Sequence, residues 1–389
     1  MEKAVRLNKV KPSGIRAIFT IANKMRIEGK RVIDFGLGDV NLGLPTVVKQ
    51  GIIDAINEGK TSYGPDPGEP KLREKLSEKV KENYKVNIPS SNIMISCGAM
   101  ESLFDTFLAY INPGDEVIIH QPSFGNCFHQ ILLAGGIPKI ILSDPENDFL
   151  ITAEMINEVI SQKTKMLLIN FPTNPTSMII QRRELKNIVE LCREKQIILV
   201  SDESYELLYY DDEKHVSALE FGYENTIVIS SVSKSLCMTG MRLGFTIGAT
   251  NQLMSPIFQV HQYNTVHATR PVQYGAIKGL ENEKEIVSKN MEILDTRRKK
   301  IMNTWKNIPN IHFKTPKAGF YVYINIKDTG MNSDEFCRFT IKNGICLVPG
   351  TAFGMEISPG ISDYCRLSYG MATEEDIIKA AGILRNILS

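Results

Sequence analysis

The first chemistry the chain offers is a lysine set among hydroxyls and an arginine. The stretch Ile229-Ser-Ser-Val-Ser-Lys-Ser-Leu-Cys-Met-Thr-Gly-Met-Arg-Leu-Gly244 begins in an apolar run. Ser231 and Ser233 can donate hydrogen bonds to phosphate oxygens, and Arg242 can grip the same dianion with its planar fork. Lys234 is then left for covalent work, because a lysine kept partly neutral by burial and nearby positive charge forms an imine with an aldehyde. A solvated, serine-rich loop would use the same residues, so other segments must decide. In Ile197 to Tyr210 an apolar strand runs straight into Asp202, with Tyr205 three residues on. A carboxylate just past a strand's C-terminal end faces the ligand crevice of an α/β sheet. There it can keep the ring nitrogen of an aromatic cofactor protonated, while Tyr205 hydrogen-bonds a phenolic oxygen. A helix N-cap for Asp202 and plain packing for Tyr205 are the alternatives. A third polar turn, Asn170-Phe-Pro-Thr-Asn-Pro-Thr176, also follows an apolar run and offers Asn174 as a second partner for that oxygen. Prolines around polar residues equally mark an ordinary loop.

These residues need a scaffold that brings strand ends together. Short apolar runs alternating with amphipathic segments predict strands at 92–96, 116–120, 139–142, 166–170, 197–201, 226–230 and 243–248. Most are apolar on both faces, as in a buried sheet. Helices are expected at 99–111, 153–160 and 183–194, and a long charged helix at 281–306 precedes strand-like runs at 320–326, 344–348 and 364–369. The expected fold class is α/β, with a mostly parallel seven-stranded sheet flanked by helices. Residues 45–290 are expected to form this large domain, and 1–44 with 291–389 a smaller α+β domain.

Composition narrows the partners. With 45 basic and 44 acidic residues the net charge is +1, which leaves no basic excess to attract nucleic acid or an anionic membrane. Seven scattered cysteines, with no CxxC pair and no histidine at ligand spacing, suit reduced thiols, so no metal is expected. The N-terminus lacks a signal-peptide core, and charges interrupt every apolar stretch short of membrane-spanning length. The expected location is cytoplasmic and the expected ligands are small molecules.

The order Asn-Pro, Asp-x-x-Tyr, Ser-x-Ser-Lys and Arg-Leu-Gly, spread over nearly the whole chain, resembles the fold-type I pyridoxal-phosphate enzymes. Within them it resembles the class I/II aminotransferases of the aspartate and aromatic type. The resemblance implies pyridoxal 5'-phosphate as cofactor and further roles. Gly98, Ala99 and Met100, after Cys97, match the turn whose backbone amides meet the phosphate. Phe124 matches the aromatic ring stacked on the pyridine. Tyr63 matches the tyrosine that reaches the phosphate of the neighbouring subunit, implying a homodimer. Arg366, in Tyr364-Cys-Arg-Leu-Ser-Tyr369, matches the bidentate grip on the substrate α-carboxylate, Asn174 joins it at the substrate, and Gly38 matches the glycine whose backbone approaches that carboxylate. The chain departs from the pattern at Ser177, where many relatives have glycine, and at Met241, where they have tryptophan. It departs again in the strip Gly36-Leu-Gly-Asp-Val-Asn-Leu42, close to the expected substrate side chain.

The implied reaction is transfer of an amino group from an L-amino acid, aspartate or aromatic, to 2-oxoglutarate in ping-pong fashion through pyridoxamine phosphate, with Lys234 as imine partner and base. The candidates for a cation that meets a distal carboxylate are His261, His267 and Arg270 of a neighbouring subunit, although exposure is the ordinary fate of each. A carbon–sulfur β-lyase or an aminocyclopropane carboxylate synthase would share every cofactor residue. A ligand-sensing domain of a transcriptional regulator would carry a helix-turn-helix extension that this sequence does not display. No GxGxxG opens a helix after the first strand, which argues against a dinucleotide-binding oxidoreductase.

Overall fold

The computed structural model describes residues 2–10, 14–40, 42–354 and 360–389; Asn41, within the strip at 36–42, lies outside them. Runs rich in isoleucine and valine form seven strands: β1 (Ile93–Ser96), β2 (Glu116–Gln121), β3 (Ile137–Leu142), β4 (Thr164–Asn170), β5 (Ile198–Asp202), β6 (Thr226–Ser231) and β7 (Gly244–Gly248). They make one sheet in the order β1-β7-β6-β5-β4-β2-β3. All neighbours pair parallel except β7, which runs antiparallel to both β1 and β6. Each expected strand of the sheet appears within two residues of its expected bounds.

The sheet is apolar on both faces because helices cover both. One face packs Ile95, Ile118, Leu167 and Leu199 into a cluster with Leu72, Leu76 and Ile188. The other packs Met94, Val117, Leu168 and Val200 with Leu103, Phe107 and Ile257. Successive strand residues alternate between the two clusters, as the pleat requires.

A separate apolar cluster gathers Ile18, Phe35, Trp305, Val322, Ile341, Leu367 and Ile377. Here Tyr321–Asn325 pairs antiparallel with Tyr364–Ser368, placing Tyr323 opposite Arg366. The strand expected at 344–348 is two short pieces instead. Ile345–Cys346 pairs parallel with Ile33–Asp34, whereas Val348–Pro349 pairs with the Tyr364–Ser368 strand. Leu347 between them is fully buried, so the apolar run reads as one strand although it joins two sheets. The long helix begins at Glu283, after Asn282 has ended a preceding helix, Arg270–Glu281. Its Leu294, Ile301 and Trp305 face the separate cluster.

Ser177, the departure from glycine, has φ 58°, a left-handed backbone that glycine enters without strain. Three contacts hold it there. Its carbonyl accepts the N–H groups of Lys317 and Ala318, both at 3.0 Å, and its hydroxyl accepts that of Tyr321 at 3.3 Å. This turn ties the end of the Asn-Pro loop to the strand beginning at Tyr321.

Candidate active site

Every parallel strand delivers its C-terminal end to the same edge of the sheet, and β7 begins there. Register puts Asn170 beside Asp202, Asp202 beside Ile229, and Ser231 beside Gly244. The loops leaving this edge therefore converge, as expected for a crevice at strand ends. They line a cavity of about 240 Å³.

Of the residues singled out from the sequence, Gly38, Ala99, Met100, Phe124, Asn174, Asp202, Tyr205, Ser231, Ser233, Lys234, Arg242 and Arg366 line this cavity. Gly98 stands immediately behind it, and a Cβ there would come within 2.6 Å of Arg242 Nη2. Its φ of 97° also needs glycine. A Cβ on Gly244 would come within 2.5 Å of the Ala99 nitrogen. Two glycines thus let the start of helix Ala99–Tyr110, Arg242 and β7 close into one cradle of N–H donors and a guanidinium, suited to a phosphate.

Lys234 follows from a one-turn helix, Val232–Ser235, whose N-cap is Ser231 at the end of β6. Its Nζ donates to the Gly38 carbonyl at 2.6 Å and lies over the Phe320 ring at 5.7 Å. Burial lowers its pKa to about 8; Asp39 opposes this and Arg366 and Arg242 reinforce it. An amine so placed keeps a neutral fraction of roughly one fifth near physiological pH, far more than an ordinary lysine, and the neutral amine is the state that attacks an aldehyde.

Asp202 closes β5. One of its oxygens, Oδ1, accepts from Ser204 twice, from the hydroxyl at 2.6 Å and the N–H at 3.1 Å. Burial raises its pKa to about 6 against the lowering effect of those two bonds. A carboxylate so disfavoured in charge gains most from a cationic N–H, such as a protonated ring nitrogen. The turn that carries it is anchored from behind. Glu203 takes His215 Nε2 at 2.9 Å and the Ala218 N–H at 3.0 Å, and Glu206 pairs with Lys79 at 2.9 Å. Asp202 and Tyr205 thereby face the cavity while their glutamate neighbours face away.

Arg366 is 1 % exposed, and among the described residues it has no carboxylate partner. Its Nη1 donates to Asn174 Oδ1 at 3.0 Å and its Nη2 to the Gly36 carbonyl at 2.5 Å, while its buried Nε has no partner. It is sandwiched by the rings of Tyr321 and Phe353, at 4.6 and 4.9 Å. A buried guanidinium with an idle N–H and no counter-charge favours an anion arriving from outside the chain.

Three residues that the sequence brought forward sit elsewhere. Tyr63 is 85 % exposed, outside the cavity, edge-on to His267. His261 is buried against Glu101 and is spent inside its own chain. Arg270 is bound to Glu69 at 2.5 Å. Tyr321 escaped the sequence reading: its hydroxyl lies 2.8 Å from that of Tyr205. Its signal was weak, an alternating aromatic in Phe320-Tyr-Val-Tyr with no strand-end motif. Asn170, Ser204 and Thr239 also line the cavity. Asn170 positions its own loop, its Oδ1 accepting the Asn174 N–H at 3.2 Å and its Nδ2 donating to the Asp202 carbonyl at 3.1 Å.

A flat, phosphorylated aldehyde ring meets complementary groups here at each end: the donor cradle, the amine and the ring-facing acid. Comparison with known proteins agrees. Residues 30–384 match the family described as aminotransferase class I and II. The chain is 34 % identical over 383 residues to an aspartate aminotransferase of Pyrococcus abyssi, covering 96 % of this chain and 95 % of that one. It is 32 % identical over 378 residues to aromatic-amino-acid aminotransferase 2 of Thermococcus litoralis, covering 95 % and 94 % of the two chains. The aspartate aminotransferase of Thermus thermophilus, solved with maleate, superposes over 100 % of both chains with a TM-score of 0.94 at 27 % identity. The chain therefore belongs to the class I and II aminotransferases and is a pyridoxal-phosphate-dependent transaminase.

Proposed function

We propose that this transaminase moves the amino group of an L-amino acid, aspartate or aromatic, to 2-oxoglutarate in ping-pong order, the first keto acid leaving before the second enters. The observation that carries the residue roles is the convergence of Lys234, Asp202 and Arg366 on one cavity. When bound, pyridoxal phosphate supplies an aldehyde that takes up amines and a ring that accepts the electron pair left at Cα. Lys234 would hold the cofactor covalently and, as a free amine, would move the Cα proton. Asp202 keeps the ring nitrogen protonated, Tyr205 and Asn174 hold the phenolic oxygen, and Phe124 supports the ring. Ser231, Ser233, Arg242 and the Gly98–Met100 turn take the phosphate. Arg366 grips the α-carboxylate beside Gly38 and Asn174.

Of the two donors the aromatic one suits the lining better. Lys234, Arg242 and Arg366 are the cations among the described lining residues, and each already has a partner in this scheme; Met100, Leu103, Phe124 and Tyr321 offer apolar or aromatic surface. The test is a spectrum of the purified holoenzyme before and after single amino acids, without keto acid. Stoichiometric keto acid release supports transamination and ranks the donors. Continuous release of pyruvate or ammonia would replace it with a lyase.

Arg366→Lys is expected to lower kcat/KM by about 100-fold, mainly through KM, because an ammonium cannot reproduce the planar two-point grip. Steady-state kinetics with donor and acceptor varied separately check this, and an equal KM rise for both follows from one shared carboxylate site. The cofactor-free chain is expected to capture pyridoxal phosphate faster as pH rises, roughly tenfold per unit below 8 and level above, following neutral Lys234. Stopped-flow absorbance from pH 6.5 to 9.5 checks it; a rate still rising tenfold per unit at pH 9.5 would mean an unperturbed lysine.

The chain is further proposed to act as a homodimer in which Tyr63, exposed in one chain, completes the site of the next. Residues 45–290 are proposed as the large domain and 1–44 with 291–389 as the small one, supported by a separate apolar cluster drawn from both segments of the latter, to which Tyr205, Leu208 and Tyr210 add. A cytoplasmic location is proposed from the seven free cysteines. Among the described residues no helix is long and apolar enough to cross a membrane.

A further inference from the structure

His261 lies on helix Asn251–Asn264 with its ring turned inward. Nδ1 is 3.0 Å from Glu101 Oε1 and 3.4 Å from Asp105 Oδ2, and Nε2 is 3.1 Å from the Asp66 carbonyl. An acceptor at each nitrogen calls for the doubly protonated ring. Burial alone would lower its pKa, but Asp105 and Glu101 together raise it to about 9.

The nearer carboxylate leads to the cavity. Glu101 is the third residue of helix Ala99–Tyr110, and its Oε2 takes the Cys97 N–H at 2.5 Å, reaching back across the turn that opens the helix. On that turn Gly98 leaves room for Arg242, which a Cβ would meet at 2.6 Å, and Ala99 and Met100 line the cavity. The Thr265 side chain adds a further hydrogen bond to the same carboxylate, but His261 is its charged and buried partner, and a glutamate held more loosely would let the turn move. Held at both oxygens, it is a strut. Asn264 in turn fixes Asp105 through a 2.8 Å bond to Oδ1.

We propose that His261 is a positioning residue for the phosphate end of the cavity, fixing the Glu101 carboxylate that sets the Cys97–Ala99 turn. This rests on the reading of that turn as a phosphate site. Misplacing donors by about 1 Å can cost on the order of 100-fold, so a buried contact well behind the cavity wall can govern cofactor affinity.

The experiment compares cofactor-free wild type with His261→Gln and Glu101→Gln, titrated with pyridoxal phosphate and separately with pyridoxal, which lacks the phosphate. Both variants are expected to bind pyridoxal phosphate at least ~10-fold more weakly and pyridoxal within ~2-fold of wild type, so that the preference for the phosphate form falls. Folded variants, by circular dichroism, that melt earlier yet keep the wild-type preference would overturn the proposal, since a purely structural role predicts that pattern. Should His261→Gln fail to fold, the neutral and isosteric Glu101→Gln carries the comparison. A wild type that itself shows no preference, and against which inorganic phosphate does not compete, would remove the reading of the turn and the proposal with it.

Discussion

Lys234→Ala is expected to abolish turnover, by about 10,000-fold or more, while the protein still folds and still binds pyridoxal phosphate without a covalent link. The size of the loss follows from one amine serving two steps, holding the cofactor and moving the Cα proton, so that no second group in the cavity can take over both. The fold itself has little to lose. Burial already disfavours the charged lysine, and alanine forfeits one hydrogen bond to the Gly38 carbonyl, worth about 1 kcal/mol. Single-turnover kinetics and thermal melting of the same preparation check both halves. Near-normal activity in this variant would end the mechanistic account. Inactivity accompanied by loss of cofactor binding would shift Lys234 from chemistry to assembly.

Asp202→Asn is expected to lower kcat by about 1,000-fold with little change in KM. The amide oxygen can still accept from Ser204, so the turn keeps its shape, but a neutral amide cannot hold a proton on the ring nitrogen by charge. The same substitution should stabilise the cofactor-free protein. In the unfolded chain an aspartate loses its proton near its ordinary pKa, whereas in the fold burial holds Asp202 up to about 6. Over that window the native state carries more protons than the unfolded one, so stability falls as pH rises through it. Removing the acid removes a penalty on the order of 2–3 kcal/mol above pH 6. Denaturant unfolding of the cofactor-free pair at pH 4.5 and pH 7 checks the sign: the variant gains at pH 7 and little at pH 4.5. A loss at pH 7 would mean that the native Asp202 charge has a cationic partner.

These two residues were legible because their signals are local. A run of isoleucine and valine predicts a buried strand, and the residue where the run stops is placed at a sheet edge by chain connectivity alone. Asp202, Asn170 and Ser231 each occupy such a position, and parallel pairing puts all of them on one edge. Arg366 was legible for a different reason: a cation in a strand with apolar alternate neighbours must have an anion to meet. Its partners in the chain were not. They sit at Asn174 and Gly36, separated from it by 192 and 330 residues, and nothing periodic connects such distances.

The same limit hid Tyr321, which meets Tyr205 across 116 residues, and misassigned His261. A histidine in a polar run such as His261-Gln-Tyr-Asn looks like a surface residue. Whether it is depends on which helix packs over it, and Glu101 lies 160 residues away on that helix. The run at 344–348 failed similarly, since apolar character marks burial but not which of two sheets a residue joins.

By itself the amino-acid sequence determined the α/β layering, the seven strands of the main sheet and the strand-end residues that line the cavity, because periodicity and the turn after a strand are properties of neighbours in the chain. Only the tertiary structure decided that Arg366 meets Asn174 and Gly36 and pairs with no carboxylate among the described residues, that Tyr321 backs Tyr205, and that His261 is buried against Glu101. Those outcomes depend on which side chains packing brings within about 3 Å of one another, and burial then makes an unpaired charge or donor costly enough to matter.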